Sequence, residues 1–148
     1  MKTIASSKTT KIIVDICMTI FLILSFVRWS GDGGFIFHAI VGTACALFFT
    51  LHVCIHWKWI KAMTKSCMAG KLNKSLKWKY VIDMILLVVW GVAVASGFVA
   101  VGYFVGGVYG LAGFSQVHGV SARVGLVLVI VHVLQHLPQI KSYFGVKK

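Results

Sequence analysis

The chain has 148 residues, 59% of them hydrophobic, and a mean hydropathy of +0.91. A soluble domain of this size cannot show so much apolar surface to water, so the composition points to a membrane protein. Fifteen Lys and Arg stand against three acidic residues, for a formal charge of +12. The basic residues are confined to a few stretches, and no nucleic acid is needed to explain them.

The first apolar segment covers residues 12–29. Its basic start and apolar middle resemble a signal peptide, but no small-x-small cleavage site follows, and it is read as a retained helix. Further apolar segments cover 35–57, 80–105 and 117–137. Each is long enough, or nearly so, to cross a hydrocarbon core, which takes about 20 helical residues. The expected fold is an all-α membrane protein, a single domain over 1–148 forming a four-helix transmembrane bundle. Cys17, Cys45, Cys54 and Cys67 show no Cys-x-x-Cys spacing. That argues against a disulfide framework, a zinc ribbon or a covalently attached haem.

Lysine placement gives the orientation, since basic residues stay preferentially on the cytoplasmic side. Lys2, Lys8 and Lys11 precede the first segment. Lys58, Lys61, Lys65, Lys71, Lys74, Lys77 and Lys79 lie between the second and third, and Lys141, Lys147 and Lys148 follow the fourth. Both termini and the middle loop are expected in the cytoplasm. Ser30 to Gly34 and the Gly106 to Gln116 region, which contain no lysine, are expected outside. Trp57, Trp59 and Trp78 fall where an interfacial aromatic belt belongs. The resulting location is a prokaryotic cytoplasmic membrane, with multiple passes and lipid as the surrounding partner.

The two halves repeat. Lys11-Ile-Ile-Val-Asp15 opens the first segment and Lys79-Tyr-Val-Ile-Asp83 the third; the second segment carries His38, His52 and His56, and the fourth carries His118, His132 and His136. The spacing His-x13-His-x3-His is the same in both, so the bundle reads as two repeated hairpins. Asp15 and Asp83 each stand in the first turns of a segment, four residues after a lysine, and are expected to serve the helix dipole, with proton uptake as the functional option.

A histidine inside a bilayer is costly, and six at a duplicated spacing point to ligands. Fourteen residues rise about 21 Å along a helix and return to the same face. The second and fourth segments run in the same direction, so His38 is expected opposite His118 and His52 opposite His132, each pair offering two axial imidazoles to one haem b. His56 and His136 lie one turn further toward the interface. They are expected to hydrogen-bond propionates, line a quinone pocket or pass protons, although an inner haem between them is geometrically conceivable. Gly42, Gly119 and Gly125 would let a flat macrocycle approach the backbone, or simply let helices pack closely. Of the two arginines, Arg28, at the outer end of the first segment, either snorkels or meets a haem propionate, and Arg123, five residues past His118, is a candidate for an outer-haem propionate or the edge of a quinone site.

The segment Leu51-His-Val-Cys-Ile-His-Trp-Lys-Trp-Ile60 and the pattern His118-x13-His132-x3-His136 resemble the small four-helix membrane cytochromes b that accompany flavinylated extracytoplasmic redox proteins. They are similar in logic to the dihaem bundle of cytochrome b in quinol:cytochrome c oxidoreductase. The likeness extends from Lys11 to Ile140. It implies bis-histidine ligation by residues 38, 52, 118 and 132, and electron exchange between membrane quinone and a flavoprotein, iron–sulfur or cytochrome partner. The chain would be the electron-transfer subunit of a membrane oxidoreductase. A different class stays open: a zinc or copper bundle in which His52, His56, His132 and His136 hold the metal. That reading leaves His38 and His118 unused and sees no carboxylates along a path.

Overall fold

The computed structural model describes residues 7–27, 32–107 and 113–143. Four helices hold nearly all of them: α1, Lys8–Ser25; α2, Asp32–Met68; α3, Lys74–Gly106; and α4, Gly113–Tyr143. The chain divides after Lys65 into two compact units, the first containing α1 and most of α2, the second α3 and α4. Each is a helical hairpin.

Local chemistry sets the helix ends. Ser7 caps α1 by accepting from the Thr10 amide at 3.0 Å, and Phe26 and Val27 close it with tight bonds to Ile23 and Leu24. At the end of α2, Gly70 takes φ +66°. Its amide meets the Cys67 carbonyl at 3.1 Å and the Lys71 amide meets Ser66 at 3.0 Å. This paired closure needs a left-handed residue, which glycine supplies without a Cβ clash. Two residues after Lys71, Asn73 starts α3 by accepting from the Leu76 amide at 2.9 Å.

Helices α2, α3 and α4 outrun the expected segments. Lys58, Lys61 and Lys65 belong to the helical continuation of α2, and Lys74, Lys77 and Lys79 to the start of α3, so the middle loop shrinks to 69–73. The apolar pattern stops at Trp57, whereas Lys, Ala and Met keep propagating a helix until Gly70 breaks it. Helix α4 likewise passes through Pro138. Proline lacks the N–H that would meet the carbonyl of Leu134 one turn earlier, and, one residue on, Lys79 Nζ donates to the Gln135 carbonyl at 3.3 Å.

Three helical stretches, Gly33–Met68, Lys74–Gly102 and Gly113–Ser142, are long and apolar enough to cross a membrane. Helix α1 has 18 residues and includes Lys8, Lys11 and Asp15; Phe26 and Val27 close it, and residues 28 and 29 of the expected first segment lie outside the described residues. Apolar side chains point outward along all four helices, among them Ile13, Ile40, Val88, Val127 and Leu134, each more than half exposed. In water that surface would be untenable; in lipid it is ordinary. The hydroxyls of Thr19, Thr43, Thr50, Thr64, Ser96 and Ser121 each donate to a carbonyl one turn back on their own helix, which satisfies them without solvent.

Within the first unit, Phe21 stacks on Phe48 at 5.4 Å, and Val14, Leu22, Val41, Cys45 and Ala46 are buried. In the second, Leu86, Trp90, Ala93, Ser96 and Ala100 are buried along α3. Trp90 lies on Gly125 of α4 so closely that a Cβ at Gly125 would stand 2.8 Å from its ring.

Candidate metal centre

In each hairpin, α1 or α3 supplies acceptors and α2 or α4 supplies imidazoles. His38 Nδ1 lies 2.9 Å from the carbonyl of Ser25, the last residue of α1, whose carbonyl has no partner further along the helix. His118 Nδ1 lies 2.8 Å from the Ala93 carbonyl, in the middle of α3. Gly97 makes that approach possible, because a Cβ there would sit 2.9 Å from His118 Nδ1. A carbonyl can only accept, so Nδ1 carries the proton in both rings and the lone pair is on Nε2.

The histidines further along the two helices bond to carboxylates. His52 Nδ1 meets Asp15 Oδ1 at 2.7 Å, and His132 Nδ1 meets Asp83 Oδ1 at 2.7 Å. Asp83 reaches a second ring through its other oxygen, with His136 Nε2 at 3.1 Å from Oδ2. Paired rings on one helix stand 4.7 Å apart for His52 and His56, and 4.6 Å for His132 and His136, the spacing expected at i and i+4. In both triads, Asp15–His52–His56 and Asp83–His132–His136, one donor atom from each residue lies within 4.8 Å of the others. Each is a grouping able to hold a metal ion.

Several expectations change. Asp15 and Asp83 are partners of histidines, and the lysine one turn before Asp83 goes to the Gln135 carbonyl. The metal-bundle alternative therefore has the carboxylates it was thought to lack. Arg123 is exposed, and its Nε donates to the Gly119 carbonyl of its own helix at 2.9 Å. Arg28 lies outside the described residues. Gly125 is packed by Trp90, while a Cβ at Gly42 would meet nothing within 4 Å.

The structure thus brings His52 together with His56, and His132 with His136; His38 and His118 each stand apart from them, near the start of the helix, on a backbone acceptor. Sequence reading missed the carbonyls of Ser25 and Ala93, which no side chain announces, and the part played by Gly97. It also missed the Asp–His contacts, although the recurrence of Asp with the histidines in a chain so poor in acids was the available signal. Beside the second triad, the buried amide atoms of Gln135 have no hydrogen-bond partner among the described residues. Such groups are costly and mark a place suited to a polar ligand. An open apolar groove of about 520 Å³ between α3 and α4, lined by Val88, Val92, Val117, Val120 and neighbours, includes no histidine.

No protein-family model, curated protein or solved structure matches the chain.

Proposed function

We propose that the chain is a dihaem b-type cytochrome that carries electrons across a prokaryotic cytoplasmic membrane between quinone and a partner redox protein, as a subunit of an oxidoreductase. His38 and His118 would hold one haem, and His52 and His132 the other. All four helices cross the bilayer in this reading. Beyond Lys11, the apolar stretch of α1 from Ile12 has Asp15 as its one acidic residue, and the lysines on both sides of Gly70 keep that turn and the two termini in the cytoplasm.

The observation that carries the reading is the repeated anchoring of Nδ1. At equivalent positions in the two hairpins, Ser25 and Ala93 carbonyls hold one ring, and Asp15 and Asp83 hold the other. A histidine held this way has a fixed orientation and tautomer, which is the usual support of a metal-binding imidazole. Among the described residues His38 and His118 belong to neither three-residue donor group, and two imidazoles are what a bis-histidine haem iron would take. For the second haem, Asp83 engages His136 through Nε2 but His132 through Nδ1. That favours His132, and by the repeat His52, as ligands, with His56 and His136 as neighbours of propionates or quinone. The unmet polar atoms of Gln135 support a polar ligand group at that end.

Bound haem supplies one-electron exchange between ferric and ferrous iron; the chain supplies ligand basicity, orientation and burial. The partner is a flavoprotein, an iron–sulfur protein or another cytochrome. The two Asp–His–His groups favour a second reading, a zinc or copper site in each hairpin. A reduced-minus-oxidised spectrum with a pyridine haemochrome count and metal analysis separates the two. Two b haems per chain are expected. Absence of haem together with stoichiometric zinc or copper would overturn the cytochrome reading. His52→Ala and His132→Ala should each lose one haem, and His56→Ala and His136→Ala should retain both.

A further inference from the structure

We infer that one exposed face of α2 in the first hairpin seats an anionic phospholipid, with the phosphate on Lys58 and Lys61 and an acyl chain along Leu47, Leu51 and Cys54. The surface is independent of the haems and needs only that α2 crosses a membrane.

The face is a stripe. Leu47, Leu51, Cys54, Lys58, Lys61 and Lys65 recur at alternating steps of four and three residues, which keeps them on one side of a helix, and all are exposed. His52 and His56 fall on the opposite side, since each residue turns the helix by about 100°. Along the stripe the chemistry changes once, from apolar to cationic, between Cys54 and Lys58. That is the order of a lipid, chain first and phosphate after. An acidic water-soluble protein would match the lysines and leave the leucines without a partner.

The charge is unopposed. No Asp or Glu occurs between Asp32 and Asp83, and Lys58, Lys61 and Lys65 have no ion-pair partner among the described residues. They stand three and four residues apart, where like charges on a helix repel, and an anion between two of them offsets the repulsion. The cytoplasmic leaflet, to which the lysines assign this end, carries the anionic lipid.

Height decides which lysines take part. Counted from Trp57, where the apolar run ends, Lys58 lies about 1.5 Å, Lys61 about 6 Å and Lys65 about 12 Å further along the axis. The headgroup region is about 5–7 Å deep on each side of a bilayer. It takes in Lys58 and Lys61 and leaves Lys65 beyond. Trp57, 49% exposed and one turn before Lys61, stands where an indole rests at the interface.

The test uses the delipidated full-length chain in a neutral detergent, titrated with phosphatidylglycerol or phosphatidylcholine, with bound lipid counted by native mass spectrometry. Phosphatidylglycerol should bind about tenfold more tightly or better. Lys58→Gln and Lys61→Gln should each weaken it about fivefold, and Lys61→Arg should retain it. Lys65→Gln removes the same charge above the headgroups and should change binding by less than about twofold. Leu51→Gln, which spoils the chain track with every lysine in place, should weaken binding as well. Circular dichroism checks that each variant keeps its helices.

Equal affinity for the two lipids would overturn the seat and leave the lysines to an acidic protein or to orientation alone. Equal losses at Lys61 and Lys65 would overturn it too, because they are the mark of diffuse charge. So would a Leu51→Gln chain that binds phosphatidylglycerol unchanged. None of these results touches the dihaem reading, which the haem count decides.

Discussion

The two hairpins agree at the imidazoles and disagree in the packing around them. A shift of 68 residues carries Asp15 to Asp83 and Ser25 to Ala93; a shift of 80 carries His38, His52 and His56 to His118, His132 and His136. The same shifts carry Leu22 to Trp90 and Cys45 to Gly125. In the second hairpin a large ring fills the space a missing side chain leaves, while the first divides the equivalent positions between two medium side chains, both buried. Packing can be solved in many ways at constant volume. A ring held on one acceptor with one nitrogen presented has far fewer solutions, and those are the features both halves retain.

The sharpest way to break the comparison is at Gly97. Its counterpart under the same shift is Trp29, outside the described residues, so the close approach of backbone to ring is a described property of the second hairpin alone. A methyl group at Gly97 would stand 2.9 Å from His118 Nδ1 and displace the ring from the Ala93 carbonyl. Gly97→Ala is expected to lose one of the proposed two haems, read by pyridine haemochrome, and to leave the first hairpin's histidines undisturbed. Retention of both haems would mean that the Ala93 bond is dispensable.

Next come the carboxylates. Asp83 is buried and holds two rings; the Asp15 side chain is 35% exposed and bonds to His52. Removing an acceptor from a buried donor costs about 1–3 kcal/mol, and bonds between membrane helices tend toward the lower part of that range. Asp83→Ala should therefore destabilise the unloaded protein by about 2 kcal/mol and Asp15→Ala by about 1 kcal/mol, measured by denaturation in mixed micelles. Equal losses would show that the second ring on Asp83 contributes nothing.

These two tests mark where the sequence was legible. Four helices and their duplication could be read from apolar runs and histidine spacing, because both are periodic and local. Helix ends could not, since Lys58 to Lys65 look like a loop to hydropathy and like a good helix to the backbone. The candidate ligands were legible, but their supports were not: the Asp15–His52 and Asp83–His132 contacts join residues 37 and 49 apart, and two of the four supports are main-chain oxygens with no residue type attached. Asp15 and Asp83 were misread because the apolar runs put them in first turns, where a charge has a local explanation, whereas α1 and α3 begin at Lys8 and Lys74 and have no acidic residue in their first turns.

The packing difference itself can be exchanged between hairpins. Gly125→Cys alone should drive a side chain into Trp90 and cost about 1–3 kcal/mol, the usual range for overpacking. Adding Trp90→Leu imports the arrangement of the first hairpin and should recover most of that loss, a coupling visible as non-additivity in a double-mutant cycle. Additive effects would show that Trp90 and Gly125 do not share one space.

The smallest effect is expected at Gly42, one turn after His38 on the same face of α2. The shift of 80 places Ala122 at this position in the second hairpin, so a Cβ one turn past an anchored histidine is already present in the other half. Nothing lies within 4 Å of a Cβ built on Gly42, which removes any steric objection from the protein itself. Gly42→Ala should leave stability within about 0.5 kcal/mol of the parent and haem content unchanged. A selective loss of the haem assigned to His38 would mean that the first hairpin approaches the macrocycle more closely than the second.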